Sequence, residues 1–201
     1  MQQSKQQRQR IYFTGVGGQG TLTATDLLAQ AAIIAGIDAV AGEVHGMAQR
    51  GGVVESFLLL GGWRSPRLDH GEADVLLGFE PLETLRGLPY LRSGGIVFSS
   101  SDPLPPLAVS LGQVPYPTTQ AVEDAAKKVA GQIRFIPCRT LGLEAGALPS
   151  GNTVLLAAAC AAHAFPFEVD ALEAAIKTRL PQKLQASNLK ALELGKAFAA
   201  S

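Results

Sequence analysis

The sequence predicts an α/β fold: a three-layer α/β/α, Rossmann-like single domain with a mainly parallel sheet and a helical C-terminal third. In the first two thirds of the chain, short runs rich in β-branched and aromatic residues alternate with segments of helical spacing. Residues 73–79 are apolar except for Asp74, which is typical of a strand buried on both faces. From residue 141 onward the apolar spacing is helical. This alternation predicts parallel strands with helices on both faces of the sheet.

The individual elements follow from the same patterns. Strands are expected over residues 11–14, 39–43, 53–60, 73–79, 95–99 and 133–137. A further short strand is expected around residues 108–114, inside a proline-rich loop. The first helix follows a glycine cluster and ends at Gly36. Later helices are expected over residues 81–88, 121–131, 141–148, 153–163, 169–179 and 183–199. Residues 1–10 are rich in Gln and Arg and are expected to form a flexible tail, so that the domain spans residues 11–201.

The composition limits the classes of function. A chain of 201 residues suits one domain, and 17 basic and 17 acidic side chains give a formal net charge of zero, which argues against nucleic-acid binding. No run of about 18 apolar residues is present, so no membrane span is expected. The N-terminus lacks the apolar core of a secretory signal, and a cytoplasmic location is expected. Because 47% of the residues are hydrophobic and 17% are charged, a partner is expected to cover part of the surface.

The chain shows no catalytic apparatus of its own. Cys138 and Cys160 do not form a C-x-x-C pair, and they are too few to hold an ordinary four-ligand iron–sulfur cluster. Both are expected to be small buried side chains. No metal-ligand motif, serine–histidine–aspartate set or paired-carboxylate pattern stands out, and no bound metal is expected.

A glycine-rich turn lies between the first predicted strand and the first predicted helix. It spans residues 15–20 with the sequence GVGGQG, in which Gly15, Gly17 and Gly20 satisfy the pattern G-x-G-x-x-G. Such a turn directs backbone N–H groups and the positive end of a helix dipole at one point, where a phosphate can bind. The ligand could be a coenzyme or a dinucleotide. Alternatively, the glycines only allow close packing of the helix on the sheet, as in a scaffold that binds no ligand.

A dinucleotide site also requires an acidic residue at the end of the second strand, for the ribose hydroxyls. Glu43 lies near that position, so a free-standing nicotinamide-binding dehydrogenase is an alternative. Two observations weaken it: no substrate domain follows, and a dense polar and glycine-rich segment comes directly after Glu43.

That segment, residues 44–52 (VHGMAQRGG), forms a second group of candidate functional residues. Loops that follow parallel strands meet at the carboxyl edge of a sheet, so this loop is expected beside the glycine turn. Arg50 suits bidentate binding of a phosphate or carboxylate, and His45 suits hydrogen bonding or acid–base chemistry. Alternatively, Arg50 forms a structural or interface ion pair and His45 caps a loop. Asn152, at the start of a later helix, is expected to cap that helix or to face the same edge.

Residues 15–20 and residues 43–52 (EVHGMAQRGG) together strongly resemble the motifs of the gamma-type subunits of 2-oxoacid:ferredoxin oxidoreductases, in their indolepyruvate-type version. The resemblance runs from about residue 11 to the C-terminus. It includes the buried run over residues 73–79, the helix start at Asn152 and residues 188–191.

The resemblance implies a division of labour between subunits. A partner subunit of alpha type would hold thiamine diphosphate and the 4Fe-4S clusters, and ferredoxin would accept electrons through the complex. The implied reaction is oxidative decarboxylation of a 2-oxoacid with coenzyme A, which yields an acyl-CoA, carbon dioxide and reduced ferredoxin. Indolepyruvate or another arylpyruvate is the expected oxoacid, with pyruvate, 2-oxoglutarate and 2-oxoisovalerate as alternatives.

By this resemblance the chain is the non-cofactor subunit, inactive alone, with coenzyme A as the substrate at its glycine turn. His45 and Arg50 are expected to support catalysis at the subunit junction. The residues expected to bind coenzyme A or to shape its channel are Gly15, Gly17, Gly18, Gln19, Gly20, Thr21, Gln49, Gly51, Gly52 and Asn152.

Overall fold

The computed structural model describes residues 7–45 and 52–200, with the main chain alone for His45 and Ala200. In these ranges a six-stranded sheet has the order β2-β3-β1-β4-β5-β6. β3 runs antiparallel to both of its neighbours, and the other adjacent pairs are parallel. The strands are β1 (Gln9–Val16), β2 (Ala39–His45), β3 (Val53–Leu60), β4 (Ala73–Gly78), β5 (Leu91–Ser100) and β6 (Gln132–Ile136).

Helices cover both faces of this sheet and make up most of the last third of the chain. They are α1 (Thr21–Ile34), α2 (Pro81–Gly87), α3 (Leu107–Ser110), α4 (Thr119–Lys127), α5 (Cys138–Ala145), α6 (Gly151–Ala161), α7 (Val169–Arg179) and α8 (Gln182–Ala200). None of the helices within the described ranges is both long and apolar enough to cross a membrane.

The alternation of side chains along the strands builds two separate cores. On one face, Phe13 of β1 and Leu77 of β4 pack with apolar residues of α1, α6, α7 and α8. On the other face, Tyr12 and Leu76, one position away on the same strands, pack with Ala126 of α4 and with the segment that follows α2. Successive residues of a strand point to opposite faces, so near-continuous apolar strands require cover on both sides. The three-layer α/β/α prediction is confirmed.

Several predicted bounds differ from the observed ones by two to four residues: β5 begins at Leu91 and not at residue 95, α4 ends at Lys127 and not at residue 131, and α5 begins at Cys138 and not at residue 141. β1 begins at Gln9, so the last two residues of the predicted tail belong to the strand, where the Arg10 N–H donates to Asp74 over 2.8 Å. The strand predicted around residues 108–114 was wrong, because residues 107–110 form the short helix α3. Pro106 precedes α3, and its carbonyl accepts hydrogen bonds from Val109 and Ser110. Proline fixes a helix-compatible φ and removes an N–H that a sheet would need.

Candidate functional site

The carboxyl ends of five strands meet at one edge of the sheet, and the glycine turn lies near its centre. β1 holds the third position in the sheet, between β3 and β4. Its carboxyl end leads into the turn, the end of β4 leads into Phe79, and β6 leads into the first turn of α5. In open α/β sheets, ligands bind outside the carboxyl ends of the strands. The turn over residues 15–20 therefore lies at the edge where a ligand is expected.

Two glycines of the turn adopt a left-handed backbone that other residues rarely adopt. Gly18 has φ +90° and Gly20 has φ +89°. Apart from its chain neighbours, no described residue has an atom within 4 Å of a Cβ built on Gly18, so the described part of the chain leaves the space over Gly18 open. A Cβ on Gly20 would lie 3.0 Å from the side-chain nitrogen of Asn152. Glycine at position 20 thus serves both the backbone conformation and the close approach of α6.

The side chain of Gln19 ties the turn to the sheet on both sides. Its Oε1 accepts a hydrogen bond from the Val16 N–H over 3.0 Å, and its Nε2 donates to the Phe79 carbonyl over 2.6 Å. The main-chain N–H of Gln19 also donates to the Val16 carbonyl over 2.9 Å. The amide expected to contact the coenzyme is therefore engaged within the protein, where it shapes the turn.

Asn152 reaches the turn from the other half of the chain. It lies in the first turn of α6, and its Nδ2 donates to the Gln19 carbonyl over 2.8 Å. No side-chain cap forms at the start of α6, so the expected capping role of Asn152 was wrong. The expectation that it faces the glycine turn is confirmed.

The starts of α1 and α6 both lie beside the turn, and neither has a side-chain cap or an acidic residue in its first turn. At α6 the Gly151 N–H already donates to the Leu148 and Pro149 carbonyls, so the start of α1 is the better anion site. Thr21 begins α1; its hydroxyl is buried and has no hydrogen-bond partner among the residues that the structure describes. That hydroxyl lies 2.7 Å from the position of a Cβ on the buried Gly15. Uncapped helix N-termini offer N–H groups and partial positive charge to an anion.

Two open cavities flank the exposed Gly18. One, of about 380 Å³, is lined by Gly18, Gly20, Thr21 and Val54 together with neighbouring residues of α1. The other, of about 310 Å³, is lined by Gly18, Gln19, Phe79, Arg139 and Asn152 together with residues of the α5–α6 connection. No acidic side chain of the described ranges lines either cavity. The site thus suits an anionic ligand that lies across Gly18.

Sequence reasoning missed Arg139. This half-buried residue lies in the first turn of α5, and its guanidinium forms no hydrogen bond or ion pair with any described residue. The available signal was its position, since it comes shortly after the predicted strand over residues 133–137 and hence at the same carboxyl edge.

Gly52, which precedes β3, contacts the glycine turn. The Gly17 N–H donates to the Gly52 carbonyl over 2.7 Å. His45 ends β2 at this edge, where its main chain pairs with Val54. The predictions for Gln49, Arg50 and Gly51 lie outside the described residues.

Two buried acidic residues, Glu80 and Glu83, lie at the start of α2, just after the end of β4. Glu80 follows Phe79, and its carboxylate accepts hydrogen bonds from the Glu83 N–H at 3.0 Å and from the Tyr116 hydroxyl. Glu83 pairs with Arg86 at 2.7 Å through Oε1, whereas its Oε2 has no hydrogen-bond partner within the described ranges. Burial raises the pKa of Glu83 to about 7. Both carboxylates are inaccessible to solvent and line neither cavity, and Glu80 caps the start of α2.

Both cysteines are free, buried side chains, as expected. Cys138 lines the cavity next to Arg139, but burial raises the pKa of its thiol to about 12. Burial likewise raises the pKa of the Cys160 thiol to about 12. Protonated thiols are poor nucleophiles and poor metal ligands, so neither cysteine suits covalent chemistry.

The observed sheet order bears on the dinucleotide alternative. In the dinucleotide-binding arrangement, the acidic residue ends a strand that lies directly beside β1. Here the antiparallel β3 lies between β1 and β2, and Glu43 pairs with Ser56 of β3. Two strand spacings, roughly 10 Å, therefore separate β2 from the strand that carries the glycine turn.

Comparison with known proteins identifies the family. A family model described as pyruvate ferredoxin/flavodoxin oxidoreductase matches residues 10–198. The chain belongs to this family. The indolepyruvate oxidoreductase subunit IorB of Thermococcus kodakarensis is 39% identical to this chain over 187 residues. The aligned residues cover 92% of this chain and 93% of the relative. The protein of the same name from Methanothermobacter thermautotrophicus is 36% identical, with 92% and 94% covered.

Solved structures of the family share the fold. The gamma subunit of a keto/oxoacid ferredoxin oxidoreductase from Geobacter sulfurreducens superposes with a TM-score of 0.69 at 24% identity, over 96% of this chain and 98% of that one. The 2-oxoglutarate:ferredoxin oxidoreductase of Magnetococcus marinus, solved with 2-oxoglutarate, coenzyme A and succinyl-CoA, gives a TM-score of 0.69 at 18% identity. The match covers 96% of this chain and 31% of that larger one. By homology, the chain is a subunit of a 2-oxoacid:ferredoxin oxidoreductase.

Proposed function

We propose that this chain is the non-cofactor subunit of an indolepyruvate-type 2-oxoacid:ferredoxin oxidoreductase, and that its glycine turn binds the phosphate-bearing part of coenzyme A. In the complex, an arylpyruvate, coenzyme A and oxidised ferredoxin yield an acyl-CoA, carbon dioxide and reduced ferredoxin. Thiamine diphosphate and iron–sulfur clusters in the alpha-type partner supply the decarboxylation and the electron transfer. This chain binds and orients the thiol substrate.

One observation carries the proposed role in coenzyme binding. The space over Gly18, which no other described residue fills, lies between two cavities that no acidic side chain of the described ranges lines, next to the uncapped start of α1. Backbone N–H groups at helix starts bind phosphates without needing a dedicated side chain. Because Gln19 and Asn152 hold the turn from both sides, the N–H groups are fixed before the ligand arrives. Such preorganisation lowers the entropic cost of binding.

The choice of oxoacid rests on the relatives. Four relatives named as indolepyruvate oxidoreductase subunits are 34–39% identical to this chain. Relatives named as gamma subunits of pyruvate/ketoisovalerate oxidoreductases are 26–29% identical. This difference favours indolepyruvate over pyruvate and 2-oxoisovalerate.

His45, Gln49 and Arg50 are proposed to line the junction with the partner subunit, next to the coenzyme channel. The Gly17–Gly52 hydrogen bond supports this role, because His45 and Gly52, which flank Gln49 and Arg50 in the sequence, both lie at the edge of the glycine turn. A histidine and an arginine there could orient the oxoacid carboxylate or hold the partner.

The test is reconstitution of the complex. The chain is co-expressed with its native thiamine-dependent partner subunit, purified anaerobically and assayed for ferredoxin reduction with indolepyruvate, phenylpyruvate, pyruvate and 2-oxoglutarate. The proposal predicts reduction that requires both subunits and coenzyme A, with the highest kcat/KM for an arylpyruvate. Turnover by this chain alone, or turnover independent of coenzyme A, would contradict it. Titration of the full chain with NADH should give no binding, whereas tight binding that Glu43→Ala abolishes would favour a dehydrogenase.

A further inference from the structure

We propose that Arg139 binds a phosphate group of coenzyme A at the glycine turn and thereby sets the affinity of the complex for this substrate. This inference rests on the proposed function, since it names the cation that completes the coenzyme site. Arg139 lies in none of the sequence motifs, and the assignment comes from the cavity that it shares with Gly18, Gln19 and Asn152.

Arg139 has no partner among the described residues. Apart from the exposed Arg64, the other arginines of the described ranges contact an acidic side chain, a carbonyl or a ring, as Arg86 does with Glu83 and Arg179 with Asp26. Arg139 is half-buried and makes no such contact with a described residue. Removing a charged group from water is unfavourable unless an opposite charge or strong hydrogen bonds compensate. A partly buried, unpaired guanidinium on an open cavity is therefore suited to an anion that arrives from outside.

Arg139 lies in the first turn of the eight-residue helix α5, where the helix dipole disfavours a cation. The carboxylate of Asp102 accepts a hydrogen bond from the Thr140 N–H over 2.9 Å and offsets the dipole at this helix start. The guanidinium of Arg139 has no such compensation from a described residue, and a bound phosphate would supply it.

The chemistry of a guanidinium matches that of a phosphate, because its parallel N–H groups bind two phosphate oxygens at once. The same cavity is bordered by the exposed Gly18 of the glycine turn. Backbone N–H groups on one side and a guanidinium on the other form a two-sided anion site. Both the pyrophosphate and the 3′-phosphate of coenzyme A have this chemistry.

The experiment uses the co-expressed complex with Arg139→Gln, Arg139→Lys and the control Arg64→Gln. Arg64 is an exposed arginine in the connection after β3, at the opposite edge of the sheet. Arg139→Gln should raise the KM for coenzyme A by about tenfold or more, as expected for a lost charged hydrogen bond. The value of kcat at saturating coenzyme A should stay within about twofold, because the chemistry lies in the partner. Arg139→Lys should restore part of the affinity, and Arg64→Gln should match the wild type.

A second substrate, 3′-dephospho-CoA, identifies the phosphate. If Arg139 binds the 3′-phosphate, Arg139→Gln leaves the KM for dephospho-CoA unchanged. If it binds the pyrophosphate, the KM rises for both substrates, and either result supports the proposal. An unchanged KM for coenzyme A in Arg139→Gln would overturn the role of Arg139 while leaving the proposed function intact. Loss of the partner subunit from the Arg139→Gln complex on purification would also overturn it, because Arg139 would then hold the subunits together. A wild-type complex that does not use coenzyme A would overturn both.

Discussion

The side-chain nitrogen of Asn152 donates a hydrogen bond to the main-chain carbonyl of Gln19 over 2.8 Å, and so joins two helix starts that are 133 residues apart in the sequence. Through this contact, the first turn of α6 fixes the glycine turn that precedes α1. The turn is therefore held by the sheet on one side and by α6 on the other, before any ligand binds.

Substitution of Asn152 tests this coupling. Asn152→Ala should lower the free energy of unfolding by about 1–2 kcal/mol, because the Gln19 carbonyl loses its donor. Asn152→Asp loses the same donor and also brings a carboxylate next to the anion site. The KM for coenzyme A should thus rise more in Asn152→Asp than in Asn152→Ala. Urea unfolding of the chain and coenzyme titration of the complex measure the two effects, and equal KM values in both variants would argue against an anion at this place.

The bridge made by Gln19 predicts a pH-dependent variant. Gln19→Glu keeps an acceptor for the Val16 N–H, but an ionised carboxylate would face the Phe79 carbonyl. A protonated carboxyl group can still donate to that carbonyl. Relative to the wild type, the variant should therefore lose about 1–3 kcal/mol of stability between pH 5 and pH 8.

The matched control for this variant is Gln132→Glu, at an exposed position of β6. Its stability relative to the wild type should change little over the same pH range. If the stability of Gln19→Glu relative to the wild type changes as little between pH 5 and pH 8 as that of Gln132→Glu, the hydrogen bond to the Phe79 carbonyl contributes nothing to stability.

The buried Glu83 predicts how the stability of the protein depends on pH. Burial raises its pKa from 4.5 to about 7 in the folded state, so the folded protein holds this proton where the unfolded chain has released it. The contribution of the group to stability is fully present below pH 4.5, declines as the pH rises and is lost above pH 7. Glu83→Gln removes this titration while keeping an acceptor for Arg86. The variant should gain stability relative to the wild type between pH 5 and pH 8.

Urea unfolding at both pH values measures this gain. Glu123→Gln is the control, because Glu123 lies on the surface of α4 in an i,i+4 pair with Lys127. Its effect should vary little with pH, since surface ion pairs contribute about 0–1 kcal/mol. A Glu83→Gln variant that loses stability relative to the wild type on going to pH 8 would show that the Arg86 pair outweighs burial.

Local patterns in the sequence sufficed for most of the fold. The strand over residues 53–60 and the helix over residues 169–179 were predicted with the bounds that the structure has, because apolar runs and helical spacing are local signals. The glycine turn was also predictable, since its strand-to-helix context is local.

Long-range relationships were not predictable from local patterns. The insertion of β3 between β1 and β2 depends on pairing across the sheet, which the order of elements in the chain does not specify. The side-chain roles of Gln19 and Asn152 depend on Phe79 and on a helix from the other half of the chain. Arg139 carries no motif, and only its unpaired guanidinium beside the turn reveals it.

A pair of glycine variants tests whether coenzyme A binds over the glycine turn. Gly18 and Gly36 both have a left-handed φ, of +90° and +76°, and both have open space where a Cβ would lie. Gly18→Ala and Gly36→Ala should therefore lose similar stability, about 1–2 kcal/mol. Only Gly18 borders the two cavities, whereas Gly36 lies at the opposite edge, before β2.

The measurement is the KM for coenzyme A in the reconstituted complex of each variant. The KM of Gly18→Ala should rise about tenfold or more, because the new methyl group blocks the approach of the ligand to the backbone N–H groups. The KM of Gly36→Ala should stay close to that of the wild type. Equal KM values in the two variants would show that coenzyme A does not bind over Gly18.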